Sequence, residues 1–500
     1  MSLCLTPERH LRPTLWSLVP VVLATGLFAG CTNLQPYRAS TTPPYDQLAQ
    51  PSRALPRPGE DRHYQLAFIE FDEFGDYWNA DQVHDAHRMI SKGDGRVPLM
   101  ILFIHGWKHN ASENDTNVRG FTALLEQIGQ REKKFGQRVC GVYIGWRGLS
   151  ATTEVVKEFS IWDRKRVAAQ VAGVPLTSTV LSLANAAKAA HGQSVLIGHS
   201  LGARVLERTV AQAIIGQAAI KSIVSQGSHE ASDSTKQRKL TWNAEWPVRL
   251  VILLNSASES VYSRQLKLAL SRWGDNPPAI VAITSETDWA TGSVFPIAMG
   301  LERLGKPPGR NYRVKTDESA SPRPNESQEI YLRTTAGHNP FMIDRYVAPT
   351  HSPSTNAGEK PADNPFSWNL ENVRWDSQSA AGFSRSFYTR PPGTNAEYPP
   401  RDQWLEWDLR MAETHTERDA SLPRYPAGIL PHIIGERLSG YWVVRVPDKI
   451  VHGHDGIFDL PAIDLLAAFY AACGRKPNAP LPVTLPTAIP PIKPGMQMSR

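Results

Sequence analysis

The residues best placed to do chemistry surround Ser200. An apolar run, Val195-Leu196-Ile197, leads into Gly198-His199-Ser200-Leu201-Gly202, and a helix-forming stretch follows from Leu201. At a sharp strand-to-helix turn a serine hydroxyl is exposed at the top of a sheet, and the crowded backbone admits only glycine two positions to either side. The N-terminus of the following helix offers positive potential and N–H groups to a developing oxyanion. This combination predicts a nucleophilic serine acting through an acyl-enzyme, served by a histidine base and a carboxylate that orients the base.

Candidates for both partners lie downstream. The apolar run 279–284 ends in Ser285-Glu286-Thr287-Asp288-Trp289, which offers two carboxylates, and six histidines follow: His338, His351, His415, His432, His452 and His454. His452 and His454 stand just beyond a strand expected at 441–446, where Gly453 and Gly456 suit a tight loop. His338, in Ala336-Gly337-His338-Asn339, is only 50 residues beyond Asp288 but follows a less distinct strand. Metal-ligand spacing is superficial: His452-x-His454-Asp455 and His105 with His109 have neither an H-E-x-x-H pattern, a cysteine pair nor a further acid to complete a set. No phosphate loop occurs and no strand leads into G-x-G-x-x-G, so no metal and no nucleotide cofactor is expected.

The elements that must position these residues alternate. Strands are expected at 64–71, 97–104, 139–146, 194–197, 248–254, 279–284 and 441–446. Helices are expected at 79–90, 117–133, 163–190 with a break near Gly173 and Pro175, 201–215, 259–273 and 460–472. Apolar runs alternating with helical patterns mean right-handed crossovers and an α/β fold, a mostly parallel, doubly wound sheet covered on both faces. From about 291 to 435 the alternation stops in a stretch rich in Pro, Asn, Ser, Arg and Trp, read as a long irregular insertion before the last strand. It holds Trp368, Trp375, Trp404 and Trp407 with Phe366, Phe383 and Phe387. These aromatics form either the insertion's own small core or the lining of an apolar substrate site.

The flanks read differently. Arg9, His10 and Arg12 precede an apolar run from Leu15 to Ala29 that ends at Gly30-Cys31, the layout of an export signal, and the run is short for a membrane span. Residues 31–60 form a Pro/Thr/Ser-rich tether, 61–476 the folded domain, and 477–500 a mobile proline-rich tail. The 54 basic and 48 acidic side chains are spread without long like-charge blocks, which argues against nucleic acid as partner. Without Cys4 and Cys31 only Cys140 and Cys473 remain. One bridge between them is possible but no disulfide scaffold, and both are expected as buried free thiols.

Two resemblances sharpen this reading. The strand, the G-x-S-x-G turn and the helix after it resemble the esterase and lipase branch of the α/β-hydrolases, over residues 64–290 and 440–473. The resemblance implies chain order nucleophile, acid, histidine, and therefore Asp288 ahead of Glu286. In it, Gly453-His454-Asp455-Gly456-Ile457 corresponds to a G-H-x-x-I histidine loop, which selects His454. It also implies that Ile104-His105-Gly106-Trp107 is the oxyanion loop, with the N–H of Trp107 and of Leu201 as donors and His105 a packing residue. The substrate class implied is a small-molecule or lipid carboxylic ester, and an insertion between acid and histidine would serve as a lid or cap.

Separately, Leu27-Phe28-Ala29-Gly30-Cys31 resembles a bacterial lipoprotein signal. It implies that residues 1–30 are removed, that Cys31 is lipidated, and that the protein is anchored at the cell envelope, more in the manner of an outer-membrane than an inner-membrane lipoprotein because Thr32 follows the cysteine. Two other readings stay open: a surface-anchored binding or assembly protein that keeps the fold without turnover, and an acyltransferase. The 166 residues from Asp288 to His454 favour the former.

Overall fold

Side chains leave a strand alternately on two sides, so a strand without polar residues must be covered on both. Residues 97–104 obey this: Met100, Leu102 and Ile104 enter one buried cluster, and Leu99, Ile101 and Phe103 enter another. The computed structural model describes residues 36–38, 63–92, 94–148, 161–226, 241–270, 278–307, 309, 328–350, 384–388, 404–411, 440–473 and 480–484.

In chain order the first half contains β1 (Tyr64–Glu70), α1 (Asp81–Ser91), β2 (Val97–Ile104), α2 (Thr116–Glu132), β3 (Gln137–Gly145), α3 (Ile161–Val171), α4 (Val174–Ala189), β4 (Gln193–His199) and α5 (Leu201–Gln226). The second half contains β5 (Thr241–Glu245), β6 (Leu250–Leu254), α6 (Ser260–Ala269), β7 (Ile280–Ser285), α7 (Phe295–Glu302), α8 (Gln328–Arg333), β8 (Arg345–Thr350), β9 (Ser384–Tyr388), β10 (Trp404–Met411), β11 (Tyr441–Val446), α9 (Leu460–Cys473) and β12 (Pro480–Thr484). Strands β1, β3, β2, β4, β6, β7 and β11 lie side by side in that order and run parallel throughout. The α/β class and the seven strands expected from their apolar runs are therefore present.

The helices sort by face. α2 and α9 cover the side that Leu99, Ile101 and Phe103 enter, while α1 and α3 to α8 contribute to the other. Each cluster joins strand residues from both ends of the sheet, so the two faces lock the strand order. The long helix expected from 163 to 190 is two helices bent by 55°. Pro175, in the first turn of α4, has no N–H to continue α3. Together they have the length and hydropathy of a broken membrane span, but their apolar residues belong to the buried core; among the described residues no single helix is long and apolar enough to cross a membrane.

Two departures from the expected elements appear. Residues 291–435, expected to be irregular, supply α7, α8 and three strands that continue the sheet to ten: β8 pairs with β11 in parallel, and β10 and β9 follow antiparallel. Pro349 and the scattered polar residues hide these short strands from a periodicity argument. The tail expected to be mobile contributes β12, antiparallel to β5 in a separate two-stranded sheet. Cys140 is a buried free thiol as expected, and burial pushes its pKa up to about 12. Cys473 closes α9. The signal, Cys31, most of the tether and Trp368, Trp375, Phe366 and Phe383 lie outside the described residues; Trp404 and Trp407 fall in β10 and Phe387 in β9.

Candidate active site

Strand β4 ends at His199 and helix α5 begins at Leu201, so Ser200 alone makes the turn, with φ +55°. A serine in the left-handed region costs about 1–3 kcal/mol and persists only where its surroundings hold it. Here Ser200 N–H donates to Leu254 O at 3.0 Å, and its own carbonyl accepts from Ala257 N–H at 3.1 Å and Arg204 N–H at 3.2 Å. The glycine requirement has a visible cause: a Cβ at Gly202 would lie 2.2 Å from His105 O, and one at Gly198 2.7 Å from Ala203 Cα.

From the far side of the sheet, the loop after β11 delivers His454. Its Nε2 is 2.9 Å from Ser200 Oγ and its Nδ1 is 2.8 Å from Asp288 Oδ1, although 166 residues separate the histidine from the acid. A carboxylate only accepts, so Nδ1 carries the proton and the Nε2 lone pair faces the serine hydroxyl. Asp288 has a fully buried side chain, whereas that of His454 is 21% exposed. Thr291, one turn on, donates its N–H to Asp288 Oδ1 at 3.1 Å and its hydroxyl to Oδ2, fixing the carboxylate.

Burial disfavours the charged form of both partners, and the bond between them outweighs it. Hydrogen bonding and charge from His454, with the two bonds from Thr291, hold the Asp288 pKa below the usual carboxylate range. For His454, burial again acts first, yet the hydrogen bond and charge of Asp288 raise its pKa above the ordinary imidazole value. The arrangement is a polarised chain from carboxylate through imidazole to hydroxyl.

Two positioning residues were not anticipated. Asn255, just past the end of β6 with φ +44°, donates from Nδ2 to Gly453 O at 3.1 Å and to His454 O at 2.8 Å, and accepts from Ser285 N–H at 2.9 Å. It thereby joins the acid loop to the histidine loop. His199 Nε2 donates to the same His454 carbonyl at 3.0 Å. An asparagine following a parallel strand at its carboxyl end, where such sheets place their sites, was the available signal.

The segment after β2 closes over the serine. His105 is buried; its Nε2 accepts from Trp146 N–H at 3.1 Å, so Nδ1 donates to Gly106 O at 2.9 Å, and burial pushes its pKa down to about 4. This is a neutral packing histidine that braces the loop. A Cβ on Gly106 would come within 2.8 Å of Ser200 Cβ, so only glycine allows the loop this close. Trp107 follows at once, half-buried against the core, and Leu201 is the first residue of α5, where helix N–H groups have no carbonyl within the helix to bond. Gly106 therefore lies against Ser200, with Trp107 next after it in the chain and Leu201 next after the serine.

The remaining candidates lie elsewhere. Glu286 is half-buried and its N–H extends the sheet ladder to Val446 O at 2.9 Å; the carboxylate on His454 is that of Asp288. His452 is exposed and pairs with Asp448 at 2.9 Å. His338 lies behind Thr291, within 3.1 Å of Thr335 Oγ1, and His351, His415 and His432 lie outside the described residues. Neither metal pairing weighed from spacing assembles, since His105 is used in packing and His454 in the chain to Asp288. One group with ligating chemistry does converge among the described residues: His109, His199 and Asp455. Comparison of the chain with family models, with curated proteins and with solved structures gives no match.

Proposed function

We propose that the chain is a serine hydrolase of the α/β-hydrolase type, cleaving carboxylic esters through an acyl-enzyme. One observation carries the reading: the hydrogen-bonded line from Asp288 through His454 to the hydroxyl of Ser200, itself held at a strained strand-to-helix turn. In this reaction Ser200 Oγ attacks the ester carbonyl carbon while His454 Nε2 takes its proton. The carbonyl oxygen becomes an oxyanion that the N–H groups of Trp107 and Leu201 stabilise, and Asp288 supports the imidazolium. The imidazolium then protonates the leaving alcohol as the C–O bond breaks. Water repeats the sequence on the acyl-serine, giving its proton to His454 and releasing the acid.

Trp289 and Ile297, 70% and 64% exposed, lie on the segment that follows Asp288. They suit a substrate with an acyl chain, a small ester or a lipid. We place the protein at the bacterial envelope on a lipid attached to Cys31, on the strength of the N-terminal sequence alone; mass spectrometry of the mature N-terminus that found an unmodified Cys31 would exclude it.

The test of the nucleophile is labelling by a fluorophosphonate probe. Wild-type protein should label with one equivalent and Ser200→Ala should not. An unlabelled wild type points instead to a binding protein that keeps the fold without turnover, and equal labelling of both removes Ser200. Product analysis with an added alcohol distinguishes hydrolysis from acyl transfer.

A further inference from the structure

Beside the line of Ser200, His454 and Asp288 stand three side chains that take no part in its proton transfer. His109 comes from the loop after β2, His199 from the end of β4, and Asp455 from the loop after β11; one ligand atom of each lies within 4.8 Å of the others. Donors around a tetrahedral Zn2+ with bonds of about 2.0–2.1 Å stand roughly 3.4 Å apart. Side-chain shifts of about 1–1.5 Å, within rotamer adjustment for an exposed aspartate, would close the set.

Hydrogen bonds already prepare both imidazoles as ligands. His109 Nδ1 lies 3.1 Å from Asp115 Oδ1. The carboxylate only accepts, so this nitrogen is the protonated one and the lone pair is left on Nε2. A carboxylate behind a histidine in this way is the usual support of a metal ligand. The present neighbour of Nε2 is the neutral Asn117 amide at 3.2 Å, which a cation can displace. His199 has the same economy with a backbone acceptor: Nε2 donates to His454 O at 3.0 Å, leaving the Nδ1 lone pair buried and without a hydrogen-bond partner. A buried acceptor left unsatisfied calls for a cause. Asp455 supplies the negative charge and, being exposed, leaves a further position open to water.

We infer that His109, His199 and Asp455 form a divalent-metal site suited to Zn2+, two imidazoles and one carboxylate, that ties together the loop bearing Trp107, the turn bearing Ser200 and the loop bearing His454. The site needs no turnover, so it stands whether or not the chain hydrolyses esters.

The experiment uses the full-length protein, freed of metal by a chelator and titrated calorimetrically with ZnCl2, then with CoCl2 while visible absorption is followed. Wild type should bind one equivalent of Zn2+ with micromolar or tighter affinity, and Co2+ should give the visible bands of a four-coordinate N/O site. Asp455→Asn and His109→Gln should each weaken binding tenfold or more, while Ser200→Ala and His452→Gln should bind as wild type. Asp455 is exposed, so its variant reads binding even where His109→Gln fails to fold. Absence of stoichiometric binding, binding undiminished in Asp455→Asn, or loss of binding in His452→Gln overturns the site.

Discussion

His454 and His338 come from two different regions and both reach the neighbourhood of Asp288, but only one is equipped as a base. The loop after β11 gives His454 a carboxylate on one nitrogen and a serine hydroxyl on the other. The turn before Asn339 surrounds His338 with the hydroxyls of Thr335 and Thr291, and the chain presses in so closely that a Cβ on Gly292 would lie 2.8 Å from its Nε2. The chemical result is opposite: burial, with Arg445 nearby, pushes the His338 pKa down to about 4, while Asp288 lifts that of His454 above its ordinary value. What sets His454 apart from His338 is its direct bond to the acid, which outweighs a desolvation that both residues share.

Substitution separates the two histidines. His454→Ala should lose roughly 10^6-fold in kcat on an activated ester, the scale known for a serine-hydrolase base; substantial residual turnover in that variant would transfer the role to His338. Asp288→Asn should lose about 10^4-fold and also change the pH profile. A base must be neutral to act, so under the proposed mechanism wild-type kcat/KM should rise with pH through a midpoint above about 6.5. Without the carboxylate, burial is opposed only by the smaller effect of the Asp455 charge and the midpoint should fall below that value; an unmoved midpoint would detach Asp288 from the base. The smallest effect belongs to His338→Asn, which should keep turnover within about tenfold of wild type and leave the midpoint unchanged.

The same linkage bears on stability. The raised pKa of His454 adds stability that is complete below the ordinary imidazole value and fades as pH rises through the folded-state value. The lowered pKa of Asp288 adds stability that is present above about pH 4 and fades as pH falls through its folded-state value.

What could be read in the sequence follows from range. The central strands announce themselves because burial on both faces demands unbroken apolar runs, as in residues 97–104, and Ser200 because its turn demands glycine at 198 and 202. The acid and the histidine needed a family resemblance, since nothing local separates Asp288 from Glu286, and the strand and glycines that favour the loop at 452–456 over His338 do not separate His454 from His452. The task of Asn255 was illegible beyond its place after a parallel strand: it consists of three hydrogen bonds to residues 30, 198 and 199 positions away. So was the meeting of His109, His199 and Asp455, which the spacing of histidines along the chain does not foretell. The strands at 345–350, 384–388, 404–411 and 480–484 escaped notice because they are short and carry proline and polar residues in place of an unbroken apolar run.

The distance along the chain between acid and base has a polymer-physical consequence. Closing a flexible loop costs free energy only as the logarithm of its length, about 0.6 kcal/mol for each doubling. Relative to a base 50 residues beyond the acid, the 166-residue excursion to His454 therefore adds about 1 kcal/mol of closure entropy, less than one well-made buried hydrogen bond to a charged group offers in return. A chain with this architecture can lengthen or shorten its excursion at little thermodynamic expense, so long as β11 still docks beside β7 and sets His454 down opposite Ser200.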